Sequence, residues 1–310
     1  MNKLHKVGLT ALATSLVASS AFAGDLSVSG GAAISYTGKS SNSGANPWAM
    51  GNSVKFNGSG ELDNGTTFSA YWELDNDIMD DYNISFGMPN DMGTVKFIGD
   101  SGLAGGLSTV NDIVPSAYTP VFETTDADDN GIATSTLATN AQWGYTWTGN
   151  GLTVSGAYNK QPAAHEDSAT HWGVSYDVAG MDGLTVVAGM GRDGQNNDIE
   201  TYGASYTFGS ITVGYQETEI MMEAGGTSDE EGTHYGASMV VNDDLSISYG
   251  RQETEFSNAG TVDEENKGYG ASYTMGGMTI GYQFNEVKNP AGSSAAVDIE
   301  ASIVNLSFAF

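Results

Sequence analysis

Cysteine is absent from this chain, and the other scarce residues say as much: ten lysines and arginines and four histidines stand against 38 aspartates and glutamates. Without cysteine there is no disulfide, no thiol nucleophile and no thiolate metal site. A net charge of −28 excludes nucleic acid bound through its phosphates. It favours cations instead, including divalent ions held at a surface shared with other anions; a solvated, salt-adapted surface is the other reading. No apolar run approaches the roughly 20 residues that a transmembrane helix needs. Nor does a Pro-rich linker or a shift in composition divide the chain, so one domain is preferred over two.

What is present begins with a processing segment. Lys3 and Lys6 precede the short apolar stretch Val7–Ala18, and Ala21-Phe22-Ala23 has the small-residue form of a cleavage site. Residues 1–23 therefore read as a secretory signal, with 24–310 as the mature chain. Removing Lys3 and Lys6 takes the net charge from −28 to −30.

The rest is one repeated pattern. Tyr269, Ala271, Tyr273 and Met275 alternate with small polar residues, Gly276-Gly277 turns the chain, and Met278, Ile280, Tyr282 and Phe284 alternate again. Successive strand side chains point to opposite faces, so each arm has one apolar and one polar face. The hairpin recurs at Tyr202–Gln216 and Tyr235–Gly250, and more loosely at Trp143–Tyr158 and Trp172–Met190. With Leu26–Tyr36, Ser53–Leu62, Thr66–Leu74, Tyr82–Met88, Gly93–Ile98 and Val297–Phe310, the count is sixteen strands. Turns after even strands are short and rich in Gly, Asn and Asp, whereas connections after odd strands are mostly longer. An antiparallel meander then has one tight end and one looped end.

A soluble sandwich shows the same alternation with its apolar face inside. Sixteen strands in water would also leave edges to protect, whereas a closed barrel in lipid pairs every backbone group and turns the apolar face to hydrocarbon. Trp72, Trp143, Trp147 and Trp172 share the apolar parity and suit interfacial girdles. The last strand ends the chain at Phe310, with Phe308, Leu306 and Val304 on the same face.

With that terminal Phe, the sixteen strands and the alternating loops, the chain resembles the bacterial general porins, which are sixteen-stranded trimeric diffusion channels. The resemblance covers nearly all of residues 24–310. It implies an all-β transmembrane barrel in the bacterial outer membrane, a homotrimer, and passive passage of small hydrophilic solutes and ions. Outer-membrane lipid and lipopolysaccharide would surround it, and the barrel-assembly machinery would read Phe310 and Phe308.

The resemblance also implies that the long connection after strand five, residues 100–139, folds inward as a constriction. Leu103, Leu107, Ile113, Val114, Val121 and Phe122 are available to pin it to the wall, and an outward surface loop is the alternative. Porins set acids on this loop against bases on the wall. Here Asp112 and Glu123 would face Lys55 and Lys96, with Glu73 and Asp81 also pointing inward. Two lysines make a thin basic side, which tilts the expected pore towards cations. Within the loop, Asp126, Asp128 and Asn130 match the opening of a calcium loop, although Leu137 stands where the closing carboxylate belongs. No cofactor other than that calcium is expected. His165, His171 and His234 form no distinctive group with Ser and an acid, so an outer-membrane hydrolase is the weaker reading. An acidic, calcium-organised secreted adhesin is another alternative, but that class needs neither the terminal Phe strand nor the loop alternation.

Overall fold

Alternation decides the local structure. Val, Ile, Tyr, Trp and Thr at every second position fit a pleated strand whose two faces meet different surroundings. In the computed structural model, the described residues are 24–40, 46–76, 78–100, 104–120, 137, 141–160, 167–223 and 229–310. The expected leader, residues 1–23, lies outside them.

All sixteen strands form. They are β1 (Leu26–Lys39), β2 (Trp48–Glu61), β3 (Thr67–Asp75), β4 (Ile78–Gly87), β5 (Thr94–Asp100) and β6 (Gln142–Gly149). Next come β7 (Leu152–Asn159), β8 (Ala169–Asp177), β9 (Leu184–Arg192), β10 (Asp198–Phe208) and β11 (Ile211–Met221). The remainder are β12 (Glu230–Val240), β13 (Leu245–Phe256), β14 (Glu264–Met275), β15 (Met278–Lys288) and β16 (Ile299–Ala309). Each pairs antiparallel with its neighbours in sequence, and β1 pairs β16 from Gly31↔Ala309 to Lys39↔Ala301, closing the barrel. Closure leaves no strand edge unpaired. At the seam the Gly30 N–H donates to the Phe310 carbonyl at 2.8 Å, and the Phe310 N–H returns to Gly30 at 3.0 Å.

Turn chemistry supplies the tight end. Gly276 adopts φ +61° between the paired residues Met275 and Met278, a conformation that costs glycine little. Before β13, the Asn242 side-chain oxygen accepts from the amides of Asp244 at 2.9 Å and Leu245 at 3.0 Å. Two girdle aromatics tie to a turn at the same end. Trp147 donates its ring N–H to the Asp91 carbonyl at 3.0 Å, and Tyr145 its hydroxyl to that of Met92 at 2.6 Å.

The two faces separate cleanly. Val28, Met50, Trp172 and Tyr269 are exposed outward, while the opposite parity buries Gln142, Gln216 and Asn285. On β9–β14 the alternation inverts towards the loop end. There Glu200, Glu219, Glu231 and Glu255 stand on the outward parity and oppose one another in register across β10–β13, while Ile199 and Ile220 beside them point inward and are buried. The largest buried apolar cluster among the described residues therefore lies inside the barrel: Leu107, Val110, Leu137, Val187, Ile199 and Ile220.

Candidate functional site

Three of those six cluster residues come from the connection between β5 and β6. From Ala104, its described part passes through Gly105 and Gly106, the latter at φ +65°, and makes a short 3-10 turn over Gly106–Thr109. The turn is tied to itself: the Val110 N–H donates to the Leu107 carbonyl at 3.0 Å, and the Thr109 hydroxyl to that of Gly106 at 2.7 Å. Downstream, the Asp112 carboxylate accepts the Val114 N–H at 3.2 Å, a local turn that sets up Pro115.

Side chains on the polar parity of the strands take up the segment's backbone groups. Gln142 on β6 accepts the Ala104 N–H and donates to the Leu137 carbonyl at 3.2 Å. Ser155 on β7 accepts from Gly106 at 2.8 Å, and His171 Nδ1 on β8 from Leu107 at 3.1 Å. Gln216 on β11 takes two groups at once, donating to the Val110 carbonyl at 2.9 Å and accepting the Ile113 N–H at 3.1 Å. Ser248 on β13 accepts from Ala117 at 2.8 Å, and the Tyr118 ring lies against Gly281 on β15. Residues 104–118 thus run along the polar face from β6 to β15.

Among the described residues, that course reaches β5 at Ile98, which packs with Ala104, and its described contacts leave out the polar face of β16 and β1–β4. There Lys55 on β2 and Glu73 on β3 are opposed in register and form an ion pair of 3.4 Å, and the Tyr71 hydroxyl also donates to Glu73. Lys96 on β5 is half-buried and feels the charge of Asp81 on β4. The structure therefore brings Lys55 to Glu73 and Lys96 to Asp81. Asp112 lies on the segment, where its described bond is the local one to Val114. Glu123, Asp126, Asp128, Asn130 and His165 lie outside the described residues. Phe308 and Phe310 point outward at the seam.

Sequence reasoning missed Gln142, Ser155, His171, Gln216 and Ser248 as partners of the loop. His171 had been weighed only for catalysis. A signal was present: Gln142 and Gln216 are bulky amides on the polar parity, where Gly, Ser and Thr are common, although Gln252 and Gln283 share that feature.

The family model of Gram-negative porins matches residues 8–309. The chain belongs to the Gram-negative porin family. Its barrel is similar to solved porins and related outer-membrane proteins. OmpT of Vibrio cholerae aligns over 94% of this chain and 99% of its own, with a TM-score of 0.72 at 14% identity. An anion-selective porin from Comamonas acidovorans covers 92% of this chain and 99% of its own, at TM-score 0.66 and 15% identity. A mutant of the Rh. blastica porin covers 92% and 100%, at 0.62 and 16%. At such identities the likeness carries the fold alone, and no curated protein matches the chain. Family and fold together make this porin a channel protein of the bacterial outer membrane.

Proposed function

We propose that this porin is a passive, non-enzymatic, water-filled diffusion channel for small hydrophilic solutes and ions, constricted by its β5–β6 segment and preferring cations. One observation carries the reading. Residues 104–118 cover the inner wall from β6 to β15, so solutes are left with the wall of β16 and β1–β5. On that wall, among the described residues, Glu61, Glu73, Asp75 and Asp81 outnumber Lys39, Lys55 and Lys96 on the polar parity. Lys55 is already matched by Glu73 and Lys96 by Asp81. Among the described residues no basic cluster is left on that wall to face an acidic loop, which leaves the wall net acidic. The Comamonas porin is anion-selective; the wall charge here argues for the opposite sign.

Residues 1–23 are then a cleaved leader, Phe310 an assembly signal and Asp112 and Glu123 constriction acids, with Asp126, Asp128 and Asn130 the candidate calcium ligands. A homotrimer, in lipid that includes lipopolysaccharide, is supported by the outward face. Among the described strand residues, β9–β14 carry charged side chains on the outward parity, whereas β1–β3 present only apolar or neutral residues there. The test is a reversal potential in a dilute potassium chloride gradient across a planar bilayer. A cation-selective sign is expected, weakening as the Debye length falls from ~10 Å at 0.1 M to ~3 Å at 1 M salt. An anion-selective sign would overturn the charge argument. Neutralising Glu73, Asp75 and Asp81 together should move the potential towards zero.

A further inference from the structure

Glycine in a strand interior weakens the strand, and it commonly marks a place where another backbone comes close. The inner wall of this barrel carries such glycines on β6, β8–β12 and β15, where the segment 104–118 passes. A Cβ at Gly144 on β6 would collide with the Ala104 carbonyl, and one at Gly173 on β8 with that of Gly106. At Gly189 on β9 it would stand 2.6 Å from Leu107, at Gly203 on β10 2.7 Å from Ile113, and at Gly214 on β11 2.6 Å from Pro115. On β15 a Cβ at Gly281 would enter the Tyr118 ring. Contacts below 3 Å force something to shift, and at Gly144, Gly173 and Gly214, where segment backbone is among the near atoms, a side chain displaces the segment itself. Where the segment does not pass, the close neighbour is not loop backbone: Gly51, on the polar parity of β2, has nothing within 4 Å of its Cβ position, and Gly87 on β4 meets only the Thr67 side chain.

We infer that this glycine track, together with the Gln216 carboxamide, is the seat that sets how far the segment stands into the bore, so the wall rather than the loop fixes the channel's width. The inference rests on the segment being the constriction. Gln216 supplies the polar half of the seat. Fully buried, it donates to the Val110 carbonyl and to Thr201 Oγ1, both at 2.9 Å, and accepts from Ile113. One side chain thereby fixes both ends of the bend at 110–113. The glycines supply depth. Gly214 and Gly236 are opposed in register directly beneath Val114. Glycine there lets the segment's backbone lie against the sheet; a side chain would hold it off by about the thickness of a methyl group or more. Flanking anchors at Leu107–His171 and Ala117–Ser248 hold the two sides of the bend. A wedge placed under the middle must therefore bow it into the lumen. Gln216 and the glycines are positioning residues that need touch no solute.

The test compares single-channel conductance and solute exclusion, with heat-modifiable mobility on gels as the control for folding. Gly214→Val should assemble and conduct less than the parent, with a smaller exclusion size. Gly51→Ala should conduct like the parent, and Gln216→Ala should show a noisier open level. A second measurement does not depend on the pore. The chain has no cysteine, so Val114→Cys with Gly236→Cys gives a single pair, and a Cβ at Gly236 would be 3.0 Å from a Val114 methyl. On oxidation that pair should cross-link. A pair that fails to cross-link overturns the seat, even if Gly214→Val does not fold. So does a folded Gly214→Val with parental conductance, provided that replacing 104–134 by a Gly-Ser link changes conductance. If that replacement also changes nothing, the constriction reading itself has failed.

Discussion

Truncating Leu107 to alanine separates loop from barrel, because Leu107 belongs to the loop and is wholly buried among Val187, Ile199 and Ile220 of the wall. Removing a buried leucine side chain costs about 2–5 kcal/mol, depending on how far the site collapses. The β-ladder loses none of its backbone bonds, so the cost falls on docking of the segment. At about 1.4 kcal/mol per tenfold, the undocked fraction should rise roughly 30-fold to 4,000-fold. By contrast a single wall hydrogen bond to the segment is worth ~0.5–1.5 kcal/mol net, so Ser155→Ala or Ser248→Ala should loosen it less. The readout is amide hydrogen exchange of the folded porin in detergent or nanodiscs. The amides of Gly106, Leu107, Ile113 and Ala117 donate to wall side chains and should exchange faster by that factor. Those of β13–β16 should not change. Parental protection of the four amides would refute the claim that the apolar cluster holds the segment. Equal loss in the strands would refute its independence from the barrel.

Three other outcomes are expected. Replacing residues 104–134 by a Gly-Ser link should raise conductance and admit larger solutes, read in bilayers and by liposome swelling, while the barrel still assembles. Deleting Phe310 removes the two backbone bonds to Gly30 that end the seam, so folding yield and heat-modifiable mobility should suffer more than on deletion of a loop residue. Glu219 and Glu231 face each other in register on the outward side, and like charges so placed destabilise a sheet. Glu231→Gln should therefore raise the thermal midpoint at low salt, with the gain vanishing near 1 M as the Debye length falls to ~3 Å.

Strand identity was legible because lipid on one side and water on the other impose a period of two, and the closing strand was legible from Phe310 and Phe308. Boundaries were lost where the outside stops being hydrocarbon. Reading apolar parity begins β10 at Tyr202, but the ladder begins at Asp198; it ends β13 at Gly250, but the ladder runs to Phe256. Backbone pairing does not depend on side-chain polarity, so the strands continue past the apolar belt with Glu200, Glu253 and Glu255 facing out. At β4 the cause is different. Its pairing with β3 shifts register beyond Trp72, and its pairing with β5 shifts at Tyr82. Each bulge resets which residues face outward, so Met79 and Tyr82 are both exposed although an odd number of steps separates them. A parity reading cannot cross such a shift, and it places the strand start at Tyr82 instead of Ile78.

The site was less legible because parity tells which face a residue lies on but not what covers that face. Lys55 and Glu73 were both assigned inward, yet their pairing depends on the β2–β3 register, which the turn at Asp63-Asn64-Gly65 sets. The wall side of the constriction did leave one trace. Asp198-Ile199-Glu200 and Glu219-Ile220-Met221 each put an isoleucine on the side that should be wet and acids on the side that should be greasy. An isoleucine facing a water-filled bore gains nothing by being there, so something apolar must cover it. In a meander whose other connections run to at most ten residues, the connection between β5 and β6 is the segment long enough to reach β10 and β11. It carries Leu107, Val110 and Ile113 to meet them, and the Ile199 and Ile220 side chains sit in that cluster. Misplaced apolar residues on a channel wall therefore trace the path of the loop that narrows it.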